Sequence, residues 1–137
     1  GSATDPMRFI QFWILPSVPG LESSVQQRQY TVDDRSDRWL QVMGPVGEEG
    51  LDLAQDARVF VSRLTGAAEL KHSFEDGRGG YLYVIDGAAA VGDSALSAGD
   101  AATIHGPEHL AVSTPETAEL IVVDVPLQFE PVGVWAR

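Results

Sequence analysis

Residues 67–74 read Ala67-Ala68-Glu69-Leu70-Lys71-His72-Ser73-Phe74, and their alternation decides the fold. Ala68, Leu70, His72 and Phe74 fall on one parity, while Glu69, Lys71 and Ser73 fall on the other. Successive side chains of a strand point to opposite faces, so this is a strand with one dry face and one wet face. Working outward, the same period of two predicts strands over residues 39–43 and 57–64 before it. It also predicts 81–85, 88–91, 101–104, 110–113 and 118–125 after it. Residues 7–15 and 24–30 read as strands too, and one helical turn fits at residues 32–37.

The chain's 14 glycines punctuate these runs and, Gly1 apart, sit at their ends or between them. Asp86-Gly87, set between two predicted strands, has the chemistry of a two-residue hairpin turn. Gly92-Asp93 and Gly99-Asp100 mark further reversals. Short strands with turn signals roughly every 8–12 residues indicate an all-β sandwich or barrel. The segment 7–15 is unusual, because Phe9, Trp13 and Leu15 point one way and Ile10, Phe12 and Ile14 the other. A strand apolar on both faces must be covered on both. This predicts that another sheet, domain or chain presses on it, and that the isolated chain self-associates as a homo-oligomer, such as a dimer.

With 137 residues, 44% of them apolar, the chain suits one domain with a proper core. The 20 acidic residues against 9 basic ones give a net charge of −11. That excess argues against nucleic acid and anionic membranes, since both need clustered Lys and Arg. Without cysteine there is no disulfide, thiolate catalysis or Cys-based zinc site. The longest apolar stretches, 9–15 (broken by Gln11) and 120–123, fall far short of the ~20 residues needed to span a bilayer. No basic patch followed by an apolar run opens the chain, so a cytoplasmic protein is expected. Gly1 and Ser2 read as a cloning remnant.

Chemistry is left to three histidines, the carboxylates and a few hydroxyls. His72 points inward among apolar neighbours, which suits a metal ligand in a barrel that excludes water; it equally suits a hydrogen-bonded core histidine. Tyr81 and Tyr83 share a strand face and, with His72 and Phe74, are candidates for lining a cavity; as core residues they need no function. Gly77-Arg78-Gly79-Gly80 is followed by a strand, not a helix, so it reads as a turn instead of a phosphate cradle. No Gly-x-Ser-x-Gly elbow is present. Trp13, Trp39 and Trp135 read as core or interface anchors.

Gly66, His72, Phe74 and Gly87 together resemble the first motif of the cupin family, G-x5-H-x-H-x3-4-E-x6-G, and Ala98-Gly99-Asp100 resembles the core of the second. More specifically, Phe9-Ile10-Gln11-Phe12-Trp13-Ile14-Leu15-Pro16 resembles the segment joining the two cupin halves of pirins. Gln55-Asp56-Ala57-Arg58 and Leu120-Ile121-Val122-Val123-Asp124-Val125-Pro126 resemble parts of their second half. The resemblance implies a cupin-type β-sandwich or barrel (a double-stranded β-helix) over residues 7–126. Residues 1–6 would be a tag remnant or inter-cupin linker, and 127–137 a tail.

The family's metal ligands carry over poorly. Its first His maps onto His72, its second onto Phe74, its Glu onto Gly79 or Gly80, and its third His onto Ala102. One imidazole does not hold a metal against water. His105 lies three residues past the expected place, and with His109 it reads as decorating the 105–109 loop. No catalytic residue and no metal or other cofactor is therefore expected in this domain, His72 being the one candidate ligand. The resemblance implies iron or another divalent transition metal in a first cupin, which would be this chain's partner. It also implies a kinship with quercetin 2,3-dioxygenases, whose metal activates a flavonol and molecular oxygen, and with iron-dependent nuclear coregulators. The leading expectation is a metal-free, non-catalytic C-terminal cupin that packs against and stabilises the first. Two alternatives are a free-standing single-cupin metal-dependent dioxygenase using His72 and His105 with carboxylates, and a small-molecule-binding cupin.

Overall fold

A computed structural model describes residues 4–136, so the reading of Gly1 and Ser2, and Arg137 of the tail, lie outside the described residues. Among the described residues nine strands form: β1 (Leu40–Pro45), β2 (Leu51–Leu53), β3 (Arg58–Thr65), β4 (Leu70–Phe74), β5 (Arg78–Val91), β6 (Ser94–Ser97), β7 (Ala101–His105), β8 (Glu108–Ser113) and β9 (Thr117–Pro126). The expected helical turn is a 3-10 turn at Asp33–Arg35, and a second lies at Gly133–Trp135.

The strands run in the order β2-β1-β3-β9-β5-β8-β4, with β6 and β7 also paired to β5. β5 belongs to both walls of the molecule. Its first half pairs with β9 and β7, and its last residues, Ala88–Val91, pair with β6 and in part with β8. Cross-strand partners share a face, so register defines the interior. Phe60, Val122, Leu82 and Ala102 line up on the inner face of the first wall, and Ser62, Leu120 and Val84 form the next row. From the second wall, Leu70, Phe74, Leu110 and Val112 meet them in one buried cluster. The all-β sandwich rolled towards a barrel is as the alternation predicts.

Several elements differ from expectation. Residues 84–88 hold no hairpin: β5 passes straight through Asp86-Gly87, and its register against β9 slips between Val84 and Asp86. Gly87 has φ +78°, and a Cβ on it would stand 2.1 Å from the Thr117 carbonyl oxygen. A glycine in left-handed conformation serves a bulge as readily as a turn, so the dipeptide alone does not choose between them.

Neither 7–15 nor 24–30 is a strand. The first is an arm laid across the outer face of the first wall, where both edges of β5 are already paired and offer it no ladder. It is pinned at points: Arg8 Nη1 donates to the Ile85 carbonyl (3.2 Å), Gln55 Nε2 to that of Leu15 (2.8 Å), and the Ser17 amide to that of Ala54 (2.8 Å). Further along, Gln26 Nε2 donates to the Asp52 carbonyl (3.0 Å), and its Oε1 accepts the Asp52 amide (2.9 Å). The side-chain amide thus substitutes for a neighbouring strand beside β2. β2 and β6 were missed because they are only three and four residues long. The 105–109 loop shrinks to Gly106-Pro107, since β7 runs through His105 and β8 begins at Glu108.

Candidate functional site

The first and second walls meet at one mouth through polar side chains. β4 turns His72 inward, and its Nε2 lies 2.8 Å from Asp124 Oδ2 on β9 of the opposite wall. Asp124 sits on the inward parity of β9 with Leu120 and Val122 and is 5% exposed. Its other oxygen accepts Arg78 Nε at 2.8 Å. Arg78, at the start of β5, also donates through Nη1 to Asp56 Oδ2 (2.6 Å) and through Nη2 to the Asp56 carbonyl (3.2 Å). Asp56 Oδ1 accepts Arg58 Nη1 at 2.9 Å, and Arg58 grips Glu48 with Nε (2.9 Å) and Nη2 (2.7 Å). The series Glu48, Arg58, Asp56, Arg78, Asp124, His72 is a continuous chain in which acid alternates with base.

Burial alone would push the Asp124 carboxyl up. The hydrogen bonds from His72 and Arg78, with the guanidinium charge, outweigh it and hold the group below the ordinary carboxylate range. Burial likewise works against the Arg78 charge, but the Asp124 and Asp56 carboxylates reverse the sign and keep it more firmly protonated than a free arginine. The Glu48 carboxyl is held low by the hydrogen bond from Arg58 and, second, by that from Gln41.

His72, Arg78, Arg58, Asp56, Asp124, Phe60, Ser73 and Glu75 surround a cavity of about 420 Å³. The imidazole is fixed between two rings, Phe60 at 4.9 Å and Phe74 at 4.8 Å between centroids, the latter edge-on. The four predicted lining residues do not share this cavity. Phe74 is 2% exposed and belongs to the core cluster. Tyr81 and Tyr83 lie on the outer face of β5, across the wall from His72, and line a separate depression with Phe9, Ile10 and Phe12. They share parity with each other and not with Leu82 and Val84, which is why they point away. His105 pairs with Gly79 on the outward register, and His109 Nδ1 bonds Ser73 Oγ at 2.9 Å on the surface of β4 and β8. Neither lines the mouth cavity itself, though His109 touches its rim through Ser73.

Reading the sequence alone missed Arg78, Asp124, Asp56, Arg58 and Glu48 as one network. Asp124 had a signal, a charge on the apolar parity of Leu120 and Val122. Arg78 had none, because among the glycines of 77–80 it reads as part of a turn.

The places where a cupin metal would find ligands are filled otherwise. His72 Nε2 is engaged by Asp124. A Cβ on Gly80 would stand 2.2 Å from the Val123 carbonyl oxygen and 2.4 Å from the Phe74 ring, so that ring occupies the space of any side chain at position 80. Ala102 is paired with Leu82 on the inner face and has no donor atom. Among the described residues, no three His, Asp or Glu side chains are grouped to hold a metal ion. The residues present do not fit a divalent metal.

The rolled, largely antiparallel sandwich is a cupin-type barrel. The sequence profile of the family described as "Quercetinase C-terminal cupin domain" matches residues 41–125. The chain belongs to the pirin family, as a C-terminal cupin domain. It is 29% identical over 118 residues to "Putative quercetin 2,3-dioxygenase ZMO1337" of Zymomonas mobilis, covering 85% of this chain and 50% of that protein. It is 28% identical over 119 residues to a pirin-like protein of Caulobacter vibrioides, covering 85% of this chain and 51% of that one. The chain thus spans about half the length of these curated relatives. In fold it is similar to YhhW from Escherichia coli, with a TM-score of 0.75 at 21% identity over 88% of this chain and 49% of YhhW. YhhW has also been solved as a bacterial pirin in complex with nickel(II).

Proposed function

We propose that this chain is the metal-free, non-catalytic half of a pirin-like protein, and that its outer face docks and stabilises a metal-bearing first cupin. The outer face carries this reading. The arm runs beside Ala57, Ile121 and Val123 and leaves Phe9 76% and Trp13 83% exposed. Phe129 and Tyr81, each about half exposed, continue the patch. Around them open two apolar depressions of about 290 and 310 Å³. Aromatic anchors beside apolar hollows are the makings of a permanent interface. The relatives' extra length supports the same reading, since each has room for a second domain. Any quercetin 2,3-dioxygenase activity belongs, on this reading, to the joined protein and to a metal held by the first cupin.

The test begins with the coding sequence upstream of Met7, which is expected to encode in frame a cupin with His-x-His and a downstream Glu. In that joined protein, Phe9→Ser with Trp13→Ser is expected to lower the melting temperature of the first cupin by several degrees, since a lost interface anchor costs about 2 kcal/mol or more. An upstream region without a cupin, or an unchanged melt in the double variant, overturns the proposal.

A further inference from the structure

We infer that Arg78 is the resident cation of this barrel, doing by charge and hydrogen bonding what a metal would do by coordination. The argument starts from the carboxylates. Asp124 is buried, and Asp56 faces it across the same guanidinium, at 2.8 Å from Nε and 2.6 Å from Nη1. Two carboxylates lining one cavity repel each other, and a cation between them relieves that repulsion, most of all for the buried Asp124, Asp56 being half exposed. A bound divalent ion is one solution, and a planar guanidinium with its fork of N–H donors is another. Here the guanidinium stands between the acids, holds them apart and engages both. His72 completes the set as it would in a metal site, but its Nε2 meets a carboxylate oxygen instead of an ion.

The replacement is coordinated with the packing around it. Phe74 fills the space above Gly80, and Gly80 alone permits the ring to sit there. Removing the metal's other ligands and supplying an internal cation are therefore two halves of one arrangement. The inference deepens the metal-free reading of this domain and does not depend on what docks on the outer face.

The experiment uses the full chain and its variants, with zinc, nickel or cobalt chloride as the probe. Wild-type protein, incubated with an equimolar ion and desalted, is expected to retain less than about a tenth of an equivalent. Its melting temperature is expected not to rise in millimolar divalent cation. Arg78→Gln removes its charge and leaves the buried Asp124 with His72 beside it and no guanidinium, while Arg58 still holds Asp56. It is expected to melt several degrees lower and to recover part of that loss in millimolar zinc or cobalt, the recovery disappearing in Arg78→Gln with His72→Ala. Arg78→Lys keeps the charge and is expected to show no such recovery. Stoichiometric metal in the wild type that is lost on His72→Ala overturns the inference. So does an Arg78→Gln variant whose melt ignores divalent cations. Should Arg78→Gln fail to fold, the wild-type retention and the behaviour of Arg78→Lys decide the matter.

Discussion

Asp124 joins His72 of one wall to Arg78 of the other, so protonating its carboxylate weakens both contacts. Its pKa in the folded protein is depressed below the ordinary aspartate value of about 3.9. The stabilisation it contributes is therefore complete above that value and is lost as pH falls through the lower, folded-state pKa. Asp124→Asn is expected to cost about 2–3 kcal/mol at neutral pH, because Arg78 and His72 are left with an incomplete partner. In urea titrations across pH, the gap between wild type and variant should narrow below about pH 4, as the wild-type carboxyl takes up its proton. A constant gap down to strongly acidic pH would show that the carboxylate charge is not what matters. At this scale the sequence is legible where a residue breaks a pattern. His72 and Asp124 both interrupt apolar parities. Arg78 interrupts none, and its partners lie 22 and 46 positions away in the chain. Nothing local announces them.

Among the elements, the long strand β5 is where local signals and tertiary structure part. Asp86-Gly87 carries turn chemistry, yet the backbone continues through it, because β9 pairs along both sides of the slip and keeps the strand extended. Gly87→Ala is expected to destabilise by about 2 kcal/mol or more, since it adds a Cβ in left-handed backbone against the Thr117 carbonyl. Asp86→Ala, which keeps the glycine, should cost less than half of that in the same urea titration. Equal effects would mean that the bulge depends on the aspartate side chain and not on the glycine. The strands read correctly include 57–64 and 118–125, apolar runs in which burial reaches both faces, at Val59 and Ile121 on the outer parity and at Leu64, Leu120 and Val122 on the inner. The arm 7–15 misled because its two apolar sides have different causes. Phe12, Ile14 and Leu15 face the wall, whereas Phe9 and Trp13 face solvent. Alternation records only that both sides are apolar.

For the molecule as a whole, the outer face sets solution behaviour. The isolated chain is expected to self-associate through Phe9, Trp13 and Phe129, despite a net charge of −11 that opposes it. Sedimentation velocity over a range of concentrations should show a rising average mass, shifted towards monomer by Trp13→Ser and promoted by salt that screens the charge. A single monomeric species at every concentration and salt would contradict this. The fold class was open to reading because it rests on alternation and turns, which are local. The exposed apolar patch and the charge chain were not, because both are assembled from segments distant in sequence.

β5 gives residues 78–87 to one wall and 88–91 to the other, so neither wall can lose its hydrogen bonds while the other keeps them all. Heat or urea should therefore melt the two sheets in one step, with calorimetric and van't Hoff enthalpies agreeing. The amides of Leu82 and Val84 should be among the slowest to exchange with deuterium, opening only when the entire chain unfolds.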